Sequence, residues 1–469
     1  MTTAPQATRS VPIGGPADLI LRGGPIITLD AANSVVEALA IRGGEIIAVG
    51  SAADISALKG SKTEVVELDG RAVLPGINDA HLHGSWLGAR WPRLFFGGGD
   101  NGHDGLLLNS VEERRTALRK TWALLAAHGI TSYTEPGIGP GEDQGETGCF
   151  GTAMLDTYAE LAGTPAQTAR VTMLRLFGFL DGASTFADMR GGLSAPAPKT
   201  DPRWLAVPGV KIFADGIPPM HSAWTRTPYP KGGHGGLMTG TGDEAERLAE
   251  FTAMVELAHS MDLQIGVHAT GDRTIEEFVR IVEKLGGAGD RRHYLIHADL
   301  VSGEQLCRMT AAGIGLALQP LIADHTASWL AGAVSPETAA SAWPIHLMLE
   351  DGLRAVLSSD APIASFDWRR VIASAAALLE QRDVTVGEAE LTRLLRMYTS
   401  IPAEQDGAER WKGTLEAGKV GDLCVLSANP YALGAANLPE IDIDLTVVDG
   451  RVVFDRSGAS ADQTDSVIA

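Results

Sequence analysis

The chain has 469 residues with a formal net charge of −20, 45% hydrophobic and 20% charged residues, and three cysteines. It is too long for one compact domain of roughly 250–300 residues, so a large domain with a smaller companion is expected. The acidity argues against nucleic acid as a partner, since no basic patch offsets it. Cys149, Cys307 and Cys424 lie too far apart for a thiolate metal cluster. No apolar run reaches the roughly 18 residues of a membrane span, and the first 16 residues lack an apolar signal core. A cytoplasmic protein acting on a small molecule, with no nucleic-acid or membrane partner, is the expectation.

In chain order, residues 1–16 read as a disordered lead-in. Short β-like runs at 19–21, 25–27, 37–41 and 45–49 follow, separated by glycine turns. The same texture returns at 422–426 and 444–454, where Asp449-Gly450 predicts a hairpin. Residues 17–73 and 413–457 are therefore expected to build one small β domain from both ends of the chain, with 458–469 as a tail. Between them, residues 74–412 alternate apolar strands with amphipathic helices. Two such helices are 111–128, with Leu118, Trp122 and Leu125 on one face, and 243–261, with Leu248, Phe251 and Val255. Eight strands are predicted, ending near His81, Glu135, Leu180, Asp215, His268, His297, Gln319 and Asp360. That count implies a (β/α)8 barrel, the fold class being α/β. A doubly wound open sheet is the alternative, but no Gly-x-Gly-x-x-Gly follows the first strand.

His81 and His83 stand two apart, and in an extended strand such residues share a face, so both imidazoles can reach one ion. His268, His297 and Asp360 each end an apolar run just before a small residue, where a barrel gathers its functional groups on one rim. Lys211 lies inside an apolar strand. Three readings stay open for it: an ion pair to an inward carboxylate, carboxylation by carbon dioxide, or an outward face toward a helix. Candidate substrate-facing residues on the rim loops are His221, Trp224, Gln319, Glu135, Trp86, Trp91 and His325. His103, His128, His234, His259, His293 and His346 read as structural or solvent-exposed.

These segments resemble the amidohydrolase superfamily, and within it the branch of YtcJ-like proteins and N-substituted formamide deformylases called amidohydrolase family 3. The motifs are Pro75-Gly76 with Asp79, His81 and His83; residues 210–216 around Lys211; His268 to Asp272; His297-Ala298; Ser359 to Pro362; and residues 413–423. The resemblance implies a barrel with a β-sandwich from both termini. It also implies a centre of one or two zinc ions held by His81, His83, His268, His297 and Asp360, with Lys211 as a lysine open to N6-carboxylation. Asp360, His297 and Lys211 are the implied catalytic groups, with Asp360 accepting a proton. The implied activity is hydrolysis of an amide-like C–N bond (amide, formamide, carbamate or urea) by metal-activated water; a homo-oligomer is expected. A deaminase or an ester or lactone hydrolase on the same centre, or a metal-free binding subunit, are the competing readings. The chain departs from its relatives at Ile296, where a glutamate is usual, at His221, where an arginine is usual, and at Glu135.

Overall fold

The computed structural model describes residues 15–96, 105–180, 182–349 and 352–458. Nearly all of the expected lead-in and tail, together with His103, lie outside these residues. Among the described residues, eight parallel strands follow one another around a barrel: Ile77–Asp79, Ile130–Ile138, Arg170–Leu176, Leu205–Phe213, Gln264–Ala269, Tyr294–His297, Gly315–Leu318 and Ala355–Leu357. Helices cover the outside, so most strands are buried on both faces; every residue of the second, third and fifth is buried.

The first and eighth strands do not pair directly. The gap between them is bridged by residues 397 and 398: Leu357 N–H donates to the Met397 carbonyl (3.0 Å) and Asn78 N–H to the Tyr398 carbonyl (2.7 Å). Above the strands the chain closes on itself, Asp360 N–H donating to the His81 carbonyl (2.8 Å) and His83 N–H to the Ala361 carbonyl (2.9 Å). The third strand stops at Leu176, four residues before the expected Leu180. Gly178 and Gly182 lie in the turn that follows, and Leu180 N–H goes to the Glu142 carboxylate (2.6 Å) instead of to a neighbouring strand.

Capping boxes set the starts of the two helices. Ser110 and Glu113 open Val111–Ala126, and Asp243 and Glu246 open Glu244–Ser260. Leu118, Trp122 and Leu125 are buried on the first helix, Phe251 and Val255 on the second.

The second sheet is mixed and draws its eight strands from both ends of the chain. Two expected runs merge into one strand, Leu19–Ile27, with a register shift between Arg22 and Ile26. Gly23 takes φ +85° there, and a Cβ on Gly24 would stand 2.2 Å from the Arg71 carbonyl, so glycine is required at the irregularity. Asp449 (φ 54°) and Gly450 (φ 71°) form the predicted hairpin turn between Ile443–Val448 and Arg451–Asp455. The sheet folds back on itself: Ile46 N–H reaches the Lys419 carbonyl (2.8 Å) and Gly421 N–H the Gly44 carbonyl (2.7 Å). One apolar cluster, with Leu21, Leu39, Val73, Val425 and Val447, fills the space enclosed.

Sheet and barrel are tied together by Arg170. Its guanidinium donates to both oxygens of Asp422 (2.7 and 3.0 Å) and to Asp449 (2.9 Å), and lies 4.5 Å from the Trp204 ring centre. The strand Ala72–Pro75 leads directly into the first barrel strand, so the rim carrying His81 is braced from below.

Candidate metal centre

Asp79, fully buried at the end of the first strand, accepts the backbone N–H groups of His81 (3.2 Å) and Ser359 (3.1 Å) through one oxygen. It thereby fixes the two segments that carry His81, His83 and Asp360. His81 Nε2 lies 3.2 Å, and His83 Nε2 3.3 Å, from Oδ1 of Asp360. One ligand atom from each of the three lies within 4.8 Å of the others, and all three side chains are buried. Asp360 holds φ 58° and His297 φ 73°, left-handed conformations that non-glycine residues adopt at a cost of about 1–3 kcal/mol, typically at functional sites.

Burial lowers the His81 pKa to about 3 against the pull of Asp360. His83 feels the same burial, but hydrogen bonds to Asp360 and Glu135 outweigh it and raise its pKa to about 9. Asp360, opposed by burial, is held well below the ordinary carboxylate range by His81, His83 and His297. The trio therefore carries an ionised carboxylate between a neutral imidazole at His81 and a protonated one at His83, whose Nε2 proton a bound cation would displace.

Beside it stand His268 and His297, ring centres 4.6 Å apart, with His297 5.5 Å from His81. His297 Nδ1 lies 2.8 Å from Oε1 of Gln319, whose amide nitrogen donates to Ser358 Oγ (2.9 Å). The amide is thus oriented to accept, which puts the His297 proton on Nδ1 and leaves Nε2 with its lone pair. His268 Nε2 lies 3.3 Å from the Gly216 carbonyl, and its Nδ1 is buried without a partner, as is Nδ1 of His81. Lys211 is 3% exposed, with Nζ 4.5 Å from the Phe213 ring centre. Its charge acts on His81, His268 and His297, lowering the pKa of each. Its ammonium therefore faces the interior of the barrel. Imidazole nitrogens with open lone pairs, two of them orphaned, around one carboxylate form a donor set that fits a divalent cation.

A cavity of about 1060 Å³ opens above this centre and reaches His268, His297 and Asp360. Of the residues expected to face substrate, none lines it. Glu135, 0% exposed, stands behind His83: Oε1 lies 3.4 Å from His83 Nδ1, while Oε2 accepts from Gly84 N–H (2.8 Å) and Tyr158 O–H (2.9 Å). Gln319 is taken up in orienting His297. Trp224 is fully buried, its indole donating to Glu244 (3.3 Å) under the Arg273 guanidinium. Trp86 packs against His83, Phe95 and Phe150, and Trp91 against Phe366. His221 turns away to stack on Tyr229 (4.8 Å), although its neighbours Met220 and Ser222 do line the cavity. His325 stacks on Phe96 at the cavity's edge.

Three acidic groups at or beside the site had no assigned role from the sequence: Asp79, Asp215 and Asp299. Asp215 accepts from Trp224 N–H, Thr270 N–H, Gly271 N–H and Thr274 Oγ1, locking the loops after the fourth and fifth strands together. Asp299 lies two residues beyond His297 and lines the cavity. The signal that could have found them is position, since each sits at or within two residues of a barrel strand end.

The fold is a parallel eight-stranded barrel that gathers a metal-ligand donor set on its rim. A family model described as the amidohydrolase family matches residues 93–454, and the chain belongs to that family. It is 27% identical over 254 residues to the YtcJ protein of Bacillus subtilis (strain 168), covering 53% of this chain and 47% of that one. To the N-substituted formamide deformylase of Arthrobacter pascens it is 27% identical over 240 residues, covering 48% and 43%. The matches thus span less than half the length of either relative. A solved structure of an uncharacterized metal-dependent hydrolase from Pyrococcus furiosus superposes with a TM-score of 0.68 at 18% identity, covering 88% of this chain and 99% of the other. No helix among the described residues is long and apolar enough to cross a membrane.

Proposed function

We propose that the protein hydrolyses an amide-like C–N bond of a small molecule at a divalent metal centre. The observation that carries this reading is the convergence of His81, His83 and Asp360 ligand atoms within 4.8 Å below a large rim cavity. His81, His83, His268, His297 and Asp360 would hold the metal, for which zinc is the ion best matched to imidazole and carboxylate donors. Carboxylation of Lys211, in which its amine adds to carbon dioxide and loses a proton, would add oxygen donors to this set. A bound divalent ion supplies Lewis acidity, making water acidic enough to lose a proton near neutral pH and polarising a carbonyl group.

The chain's own residues do the rest. Asp360, ionised and lining the cavity, accepts the proton of the attacking water as the new C–O bond forms. It returns that proton to the leaving nitrogen as the C–N bond breaks. Glu135 and Gln319 hold His83 and His297 in the tautomers that keep an Nε2 lone pair directed away from their partners. Loops from the first, fourth, seventh and eighth strands wall the cavity and limit water around the reacting group.

The test is a panel of N-acyl, formamide, carbamate and urea compounds assayed for amine and acid release, with Asp360→Asn beside the wild type. Amide turnover that falls at least about 1000-fold in a folded Asp360→Asn protein is expected, given that this group serves both proton transfers. Ammonia release from amino heterocycles, or cleavage of esters or lactones alone, would replace the reading with a deaminase or esterase. Undiminished activity in the variant would remove Asp360 from the proton path.

A further inference from the structure

The chemical character of the substrate can be read from which cavity groups are already occupied. Apolar side chains dominate the mouth: Phe95, Phe96, Ile217, Met220, Ile322 and Trp329. Met220 is 73% exposed, Trp329 57% and Ile217 39%, an unusual outlay of apolar surface gathered at one opening. Such a wall takes up an aromatic or branched aliphatic group.

The polar lining is nearly all engaged. Asp215 is saturated by four donors. Glu244 is paired with Arg273 (2.6 Å) and accepts from the Trp224 indole. Arg247 donates to the carbonyls of Gly242 (3.1 Å) and Leu237 (2.7 Å), holding its own loop. Asp299 differs. Oδ1 accepts from the Trp343 indole (3.0 Å), and its carbonyl accepts from Trp343 N–H (2.9 Å), so the residue is anchored at two points. No donor among the described residues is bonded to Oδ2, and no described lysine or arginine forms an ion pair with the carboxylate. The left-handed backbone at His297 and Ala298 (φ 73° and 51°) turns the chain so that His297 and Asp299 both line the cavity. Burial, and secondarily Asp215, raise the Asp299 pKa to about 7 despite the Trp343 bond; an anchored carboxyl group with an open oxygen beside an apolar wall is a receptor for a cationic nitrogen, which favours its ionised form.

We propose that Asp299 is a specificity-determining residue, and that the preferred substrates are amides carrying both a bulky apolar group and a protonated amine. This rests on the hydrolase reading above. The amine would sit against Asp299 Oδ2 and the apolar body against Trp329 and Met220, which leaves the scissile carbonyl facing the His297 and Asp360 end of the cavity.

The experiment compares two N-acylphenethylamines that differ only in the para substituent, aminomethyl against the isosteric ethyl. The wild type should favour the aminomethyl compound by about 10-fold in kcat/KM, the scale of one charge-assisted hydrogen bond. In Asp299→Asn that ratio should fall to near one, through a rise in KM for the aminomethyl compound. Trp329→Ala should raise KM for both compounds alike. No preference in the wild type, or a preference that survives Asp299→Asn, overturns the proposal. If neither amide is cleaved and the compound panel above gives no amide turnover either, it is the hydrolase reading that fails. Titration calorimetry of the two compounds on the metal-loaded protein then decides the role of Asp299 by the same ratio.

Discussion

Replacing Glu135 by glutamine changes one atom in a fully buried side chain and should weaken metal binding without disturbing the barrel. Two, and more distantly three, donors converge on Oε2: Gly84 N–H at 2.8 Å, Tyr158 O–H at 2.9 Å and Ser85 N–H at 3.4 Å. A glutamine must therefore keep its oxygen there, which turns its NH₂ group toward His83 Nδ1, now 3.4 Å from Oε1. To accept from that group, the imidazole must carry its proton on Nε2, the nitrogen facing Asp360. An imidazole so protonated has no lone pair for an ion on that side. Loss of such a backing carboxylate costs about 10–100-fold in metal affinity, or about 1.4–2.7 kcal/mol. Chelator competition on the purified variant measures it, with thermal unfolding as the control for folding. Unchanged affinity in a folded Glu135→Gln protein would refute the backing role.

Three further perturbations test other parts of the structure. A Cβ at Gly88 would stand 2.0 Å from the Ala117 carbonyl, so Gly88→Ala must push the helix Gly84–Arg90 off its neighbour, costing about 1–3 kcal/mol or more by denaturant unfolding. Wild-type stability would contradict the tight contact. Asp422→Ala strips the main partner from buried Arg170 and should destabilise the junction of sheet and barrel by about 3–5 kcal/mol, whereas a loss under about 1 kcal/mol would mean the pair is solvated. The third concerns His293, whose Nδ1 accepts from Ile265 N–H (3.2 Å) while Nε2 lies 3.1 Å from His259 Nδ1. Burial, then the neighbouring charges of His259, Arg291 and Arg354, lower its pKa to about 3. The unfolded chain binds the extra proton below about pH 6.5, so stability is complete above that pH and falls with acidification by up to about 1.4 kcal/mol per unit for this group. Urea unfolding between pH 7.5 and 5 should show the loss, and His293→Gln should make the slope shallower, the other buried histidines keeping their share; equal slopes would exclude His293 as a contributor.

The barrel was legible because its signal repeats. Most strands are apolar runs with a polar residue at or within two positions of the end, and His81 and His83, which lie just beyond the strand Ile77–Asp79, do reach one carboxylate, held there by the bonds of Asp79, His81 and His83 to residues 359–361. The hairpin at Asp449-Gly450 was legible for a similar local reason, since both positions need positive φ. What could not be read were roles assigned by partners remote in sequence. Glu135 is positioned by Gly84, Tyr158 and His83, and Gln319 by His297 and Ser358, so both act behind imidazoles although their strand-end positions suggested the rim. Trp224 lies in a glycine-rich loop segment yet is buried by Arg273 and Glu244, contacts no local pattern reveals. Asp299 was overlooked because two consecutive left-handed residues, rather than strand alternation, turn it into the cavity.

The central claim is that the rim histidines and Asp360 hold a divalent metal that the protein uses. Elemental analysis of protein purified without chelators, for the wild type and for His81→Asn/His83→Asn, tests it most directly. At least one equivalent of zinc or another divalent metal is expected in the wild type, and little or none in the folded double variant. A folded wild type without stoichiometric metal, taking up none when offered zinc, iron or manganese, would contradict it.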